Sequence, residues 1–282
     1  LVTAGKNEWL QDRKKVIDAF ITKIQYSSAS AALDDLKGFY MENRYNPYIK
    51  DAETKVLNIS MAELRKILDD FKYTERDFLR LKEFSASVRS TQSTVIQKSP
   101  LYKFANRYFA WMDSNPCYTI SIHGVEASTT FKEGAYIKNS DYAVALCGSE
   151  GQSVSPWYSL LRGNESVFYE NWKTIIGSFN VQCAPWQFMV IDFLPYENIE
   201  WAFDTELKYR KVRIYPGKDR NSLTFEGDVI NKNGSYAEIS FSNISLRIYF
   251  SISGQTLSEI IREAFKLSLI HISEPTRQEA IS

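Results

Sequence analysis

The chain has 282 residues, with 34 Lys and Arg against 34 Asp and Glu, so its formal net charge at pH 7 is zero. A balanced chain sets up no global field to steer nucleic acid or an anionic membrane, and its longest apolar runs, such as Phe188 to Ile191, fall far short of the roughly 20 residues that a membrane-spanning helix needs. The length suits one or two domains of about 100 to 150 residues each, and 17 Tyr, 17 Phe and 6 Trp point to a ring-filled core or, where exposed, to surfaces for sugars, bases or peptides.

The first 115 residues read as helices. Trp9, Leu10, Val16, Ile17, Phe20, Ile21 and Ile24 recur at helical spacing and predict an amphipathic helix from Asn7 to Tyr26. Leu33, Leu36, Phe39 and Tyr40 form a second apolar set, and Pro47 forces a turn at Tyr45-Asn46-Pro47. Ser60-Met-Ala-Glu63 and Thr74-Glu-Arg-Asp77 have the spacing of helix N-terminal caps and predict helix starts at both places. The stripes Leu64, Ile67, Leu68, Phe71 and Phe78, Leu81, Phe84, Val88 fit either two helices or one kinked helix. Ser99-Pro100 ends that run, and Leu101, Phe104, Tyr108 and Trp111 predict a last short helix before Asn115-Pro116. Together these elements describe an antiparallel bundle or hairpin.

From Cys117 the period changes from 3.6 to 2. Thr119 to Ile122 alternate, and Leu246, Ile248, Phe250 and Ile252 share a face opposite Ser245, Arg247, Tyr249 and Ser251. A hairpin is predicted with arms Leu223–Ile230 and Tyr236–Phe241 about an Asn233-Gly234 turn, since a tight type I′ turn needs positive φ at both central residues. Tyr215 to Asp219 reads as another turn. Strands are expected over Asp141–Cys147, Gln187–Phe193 and Leu207–Tyr215, with Asn164–Ile176 open between helix and strand and Gly148–Pro156 a polar loop. Thr256-Leu-Ser-Glu259 is a capping box that opens a final helix.

The expected fold class is therefore α+β: a helical bundle over residues 1–115, then a mostly antiparallel β domain over 116–266 that ends in a truncated helix. Residues 267–282 are set apart. Leu267 to Arg277, LSLIHISEPTR, resembles one translated frame of a transposon-end sequencing adapter, so the expectation is that the native body runs to about Lys266 and that a fragment has been read through into the adapter.

Without that tail, His123 is the one histidine left, which excludes multi-histidine metal sites. Cys117, Cys147 and Cys183 have neither disulfide-framework nor zinc spacing, and reduced thiols favour a cytoplasmic setting. A serine-hydrolase reading would combine His123 with Gly151-Gln-Ser153-Val-Ser155, but the nucleophile elbow needs glycine where Ser155 stands. No Gly-Lys-Ser/Thr phosphate loop or GxGxxG occurs, so ATP, GTP and dinucleotide chemistry are not expected.

One segment carries chemistry. Asp192 follows a strand, and Glu206-Leu-Lys208 opens another, an arrangement that resembles the PD-(D/E)xK nucleases although Ile191 replaces the family's proline. The resemblance implies that Asp192 and Glu206 hold Mg²⁺ and that Lys208 positions the attacking water. Glu197, Glu200, Asp204 and Glu206, interleaved with Tyr196 and Trp201, allow a second reading, a carbohydrate-binding or glycoside-hydrolysing site.

Trp157, Tyr158, Trp172, Trp186 and Trp201 make a third set, a ligand-binding surface if they share an exposed face. With no complete catalytic constellation, the leading expectation is a non-enzymatic binding or assembly protein without a cofactor. Its helical part docks or self-associates, and its β part recognises a protein or carbohydrate ligand. The metal-dependent nuclease, with nucleic acid as substrate, is the alternative.

Overall fold

The computed structural model describes residues 2–130, 132, 134–137, 142–148, 152–155, 158–159, 165–193, 210–214, 223–225, 230–233, 236–241 and 244–265. Among them the chain forms two compact units. One comprises the chain up to Lys72, Arg76–Ser114 and the helix that begins at Leu257; the other comprises Tyr73–Glu75 and Asn115–Thr256.

The first unit is helical: α1 (Val2–Ile24), α2 (Ala29–Asn43), α3 (Ile49–Asp69), α4 (Glu75–Arg89), α5 (Thr94–Gln97), α6 (Pro100–Asp113) and α7 (Leu257–Ala264). Helix α1 buries Ile17, Phe20 and Ile24, one stripe at helical spacing, and the Phe20 ring stacks on Phe39 of α2 at 4.0 Å. Between α2 and α3, the predicted turn is fastened by Asn46, whose side chain donates to the Arg13 carbonyl of α1 (3.0 Å) and accepts from the Tyr48 amide (3.0 Å).

Helix α3 packs against α1, α2 and α5 and also caps two of them. Glu63 accepts the Ala29 amide at the start of α2 (2.6 Å), and buried Glu53 accepts the Ser93 hydroxyl (2.7 Å) and the Val95 amide (3.4 Å) at the start of α5. A carboxylate at a helix N-terminus answers orphan amides and the positive end of the dipole. This corrects the helix start expected at Ser60. Ser60 is fully buried inside α3, and the Glu63 that imitated a local capping box serves α2 instead.

The start expected near Thr74 is observed as α4, so the stripes belong to two helices, separated by a connection in which Tyr73 takes φ +62°. Helix α6 begins as its sequence requires: Ser99 accepts the Tyr102 amide and Pro100 occupies the first turn. Its Tyr108 hydroxyl donates to the Phe78 carbonyl of α4 (3.0 Å). Helix α7 packs on α6, with the Phe265 and Phe104 rings 6.0 Å apart and an Arg107–Glu263 ion pair. The sequence expectation had placed this helix with the strands; Ile260, Ala264 and Phe265 bury their apolar stripe in the helical unit.

The second unit is built on β1 (Tyr118–Thr129) and β13 (Ile244–Ser253), paired antiparallel along nearly their full length. Strands β12 (Tyr236–Phe241) and β11 (Ile230–Asn233) extend the sheet beyond β13. The other edge of β1 is shared, its first half pairing with β7 (Phe179–Cys183) and its second with β6 (Lys173–Ile176), which makes six strands. A bulge at His123 shifts the register between Ile122 and Gly124. It also moves the buried positions from 118, 120 and 122 to 125 and 127.

A five-stranded antiparallel sheet has the order β10 (Leu223–Phe225), β9 (Arg210–Ile214), β8 (Phe188–Phe193), β3 (Tyr142–Cys147), β4 (Tyr158–Ser159), and β2 (Ala135–Ile137) pairs with β5 (Glu165–Val167). The predicted hairpin has its second arm in place, but its first arm is Ile230–Asn233, closed by the Asn233–Tyr236 pair, while Leu223–Phe225 pairs with β9. The segment left open at Asn164–Ile176 contributes β5 and β6. The turn expected at Tyr215 to Asp219 and the adapter-like tail lie outside the described residues. Helices first, then antiparallel strands, define an α+β protein.

Candidate functional site on the outer face of the six-stranded sheet

Alternation along β1, β12 and β13 buries Val125, Ala127, Ala237, Leu246 and Ile248, and leaves Glu126, Glu238, Arg247 and Tyr249 half-exposed on the other face. Register then aligns them. Thr174 of β6, Glu126 of β1, Arg247 of β13 and Glu238 of β12 occupy one row across four strands, and Tyr249 pairs with Tyr236 in the next. Directly opposed residues on one sheet face lie about 5 Å apart at Cβ, so this row brings charges of both signs into contact.

Arg247 is the centre. Its Nε donates to Glu238 Oε2 at 3.0 Å, and its guanidinium carbon lies 3.7 Å from the Trp172 ring centroid and 5.1 Å from that of Tyr236. Burial works against its charge, but the Glu238 hydrogen bond and carboxylate outweigh that and hold the group above its ordinary pKa. Tyr249 donates to Glu126 Oε2 at 2.9 Å, and its ring centroid is 5.2 Å from that of Tyr236. Burial, then the hydrogen bond to Glu126 and the charge of that carboxylate, push the Tyr249 phenol up. The result is a polar and aromatic floor, in which a guanidinium lies within cation–π distance of two rings.

Trp172 enters this floor from a tight turn. Phe168 and Asn171 pair across it, the Asn171 amide donates to the Phe168 carbonyl (3.4 Å), and the Glu170 amide donates to the Thr129 carbonyl at the end of β1 (3.0 Å). Glu170 takes φ +52°, a left-handed conformation uncommon for a residue with a side chain. Phe168 is 55% and Tyr169 40% exposed at this turn.

The expected site residues divide as follows. Trp172 belongs to the cluster just described. Trp186 is half-buried in the connection from β7 to β8, and Tyr158 lies in β4 of the five-stranded sheet, opposite Val144. Trp157 and Trp201 lie outside the described residues. Asp192 is in β8, paired with Ala143 on one side and Lys211 of β9 on the other, while Glu206 and Lys208 lie outside the described residues, as do Glu197, Glu200, Asp204 and Tyr196. Among the described residues, no group of three or more His, Cys, Asp and Glu is placed to hold a metal ion, and no helix is long and apolar enough to cross a membrane.

His123 and Ser153 are engaged separately. His123 Nε2 meets Ser251 Oγ at 2.9 Å, and the Ser153 hydroxyl donates to the Ser155 carbonyl.

Sequence reasoning singled out Trp172 but not Arg247, Glu238, Glu126, Tyr236 or Tyr249 as site residues. A signal was present. A hairpin of Tyr236–Phe241 with Ile244–Ser253 closes on a Phe241–Ile244 pair, which forces Glu238 opposite Arg247. The chain matches no protein-family model and no curated protein sequence.

Proposed function

We propose that this chain is a non-enzymatic binding or assembly protein whose β unit recognises its ligand on the outer face of the six-stranded sheet, with the helical unit as the part that docks or self-associates. One observation carries the reading: Arg247, Trp172, Tyr236, Tyr249, Glu126 and Glu238 converge on a half-exposed sheet face, where donors, acceptors and rings lie side by side. A few oriented polar groups among aromatic side chains are what a small-ligand site requires. The residues would bind and orient a ligand, and the Tyr249 phenol, pushed up by burial and by Glu126, keeps its proton in that arrangement.

A thermal-shift screen of the full chain tests this, using oligosaccharides, peptides and nucleotides and repeated on Arg247→Ala and Arg247→Lys. Saturation at 100 times Kd adds about 2.7 kcal/mol of apparent stability, so a true ligand raises Tm by several degrees. The shift is expected in the wild type and lost in Arg247→Ala. If no class of compound gives an Arg247-dependent shift, the reading is wrong.

The nuclease alternative is supported by the position of Asp192 in β8, next to the strand that begins two residues after Lys208. It predicts Mg²⁺- or Mn²⁺-dependent cleavage of plasmid that Glu206→Ala and Lys208→Ala abolish.

A further inference from the structure

Glu126 and Arg247 are directly opposed in the register of β1 on β13, so two opposite charges start about 5 Å apart at Cβ on one sheet face. Each is turned to a different partner. Arg247 donates through Nε to Glu238 on its other side and lies over Trp172, and among the described residues its two Nη groups have no partner. Glu126 accepts the Tyr249 hydroxyl on Oε2, which leaves Oε1. The bulge at His123 creates this juxtaposition. Tyr118, Ile120 and Ile122 are buried, and unbroken alternation would bury Glu126 as well; the extra residue turns it outward, onto the face of Arg247 and Tyr249. Bulges recur beside functional sites because they re-aim a side chain in this way.

Resting on the binding reading above, we infer that the ligand is a small zwitterion of the α-amino-acid type, with its carboxylate on the Arg247 Nη groups, its ammonium on Glu126 and its side chain along the Tyr236 and Tyr249 rings. Charge selects this class. A simple anion would meet Glu126 and Glu238, and a simple cation would stand against Arg247, whereas a ligand carrying both signs answers both. A guanidinium fixed by one hydrogen bond and one ring keeps a planar fork for a carboxylate, and an ammonium is attracted by a carboxylate and by ring faces together. Tyr236 and Tyr249 occupy the next row of the register, with ring centroids 5.2 Å apart, beside the two charges.

Glu126 and Glu238 against Arg247 leave one negative charge in excess in this cluster, so a basic amino acid is preferred to an acidic one. The same excess argues against a polyanion, since nucleic-acid binding rests on neutralising phosphates. The site is an open sheet face, where ion pairs are weak, and binding of millimolar order follows.

The experiment is a saturation-transfer difference NMR titration of the full chain with L-phenylalanine, L-arginine and L-glutamate, together with N-acetyl-L-phenylalanine, which lacks the ammonium, and L-phenylalaninamide, which lacks the carboxylate. The expected result is binding of L-phenylalanine and L-arginine, with L-glutamate and both blocked forms weaker by about tenfold or more. Glu126→Gln should weaken L-phenylalanine without weakening the N-acetyl form further, and Arg247→Gln should weaken it without weakening the amide further. A merely structural role for either residue would weaken all the probes alike and overturn the assignment. Blocked forms that bind as well as L-phenylalanine overturn the zwitterion, and this comparison on the wild type decides the matter even where a variant fails to fold. Preference for L-glutamate overturns the charge argument and the zwitterion with it. If no amino acid binds but another class of compound gives the Arg247-dependent thermal shift, the zwitterion falls while the binding reading stands. If neither experiment finds a ligand, both fall.

Discussion

The ring of Tyr118 lies directly over Gly254. A β-carbon on Gly254 would stand 2.6 Å from Tyr118 Cδ1 and 3.3 Å from the Cys117 carbonyl oxygen, and Gly254 takes φ +125°. The Tyr118 hydroxyl passes beyond it to donate to the Gln255 carbonyl at 2.6 Å. The first residue of β1 is thereby pinned to the chain just after β13.

Gly254→Ala meets both obstacles, a backbone conformation hostile to L side chains and a clash with a buried ring. A loss of about 2–3 kcal/mol is expected, measured as a fall in the denaturant midpoint without a change in slope. Tyr118→Phe keeps the ring and removes the hydrogen bond, so its loss should be smaller, about 1 kcal/mol. Equal losses in the two variants would show that the ring contact is not what the glycine serves.

Glu53 and Glu63 both cap helices from α3, but only Glu53 is buried with two donors upon it. Glu53→Ala strands the Ser93 hydroxyl and the Val95 amide and should cost about 2–3 kcal/mol. Glu63→Ala removes one half-exposed cap and should cost about 1 kcal/mol. Paired urea melts decide the order, and a costlier Glu63→Ala would refute the capping account.

Cys183 is buried, and its thiol is pushed up to about 12 from an ordinary 9.0, first by burial and then by the charge of nearby Cys117. The folded state thus holds the proton more tightly than the unfolded chain. Its contribution to stability is fully present below pH 9 and is lost as pH rises toward 12. The alkaline loss of stability should be shallower in Cys183→Ala than in the wild type across that window. At pH 8, iodoacetamide should alkylate exposed Cys117 and spare Cys183 in the native protein, read by peptide mass.

Tyr249 should titrate late. Its burial and its bond to Glu126 raise the phenol above 10.0, so absorbance titration of Tyr249→Phe should lack a phenol that ionises above the ordinary range. Loss of an early-titrating phenol instead would contradict the Tyr249–Glu126 contact.

Local signals survived into the structure where the cause was local. The stripe Leu101, Phe104, Tyr108 and Trp111 foretold α6 because one helix face decides it, although Ser99-Pro100, expected to end the preceding run, is the cap that starts α6, and alternation over β13 placed Leu246 and Ile248 inward because the pleat alone decides it. Signals failed where the partner was distant in sequence. Ser60 and Glu63 have capping-box spacing, yet Glu63 is bound to an amide 34 residues away. Thr256 and Glu259 marked a real helix but not the unit that would bury it. The site was hidden for the same reason: Glu126 and Arg247 are neighbours only through the register of β1 on β13, which no window of sequence contains.

That pairing also has a consequence for biosynthesis. Strand β1 is complete at Thr129, but its longest partner ends at Ser253, more than 120 residues later in the chain. A ribosome adding roughly 5–20 residues per second needs several seconds or more to deliver it. Throughout that interval Ile120, Ile122 and Val125 have no completed sheet to enter, and pairings this remote are the slow step in reaching a native topology. The nascent β unit is therefore the stretch of this polypeptide with most to gain from a chaperone that shields apolar strands until β13 emerges.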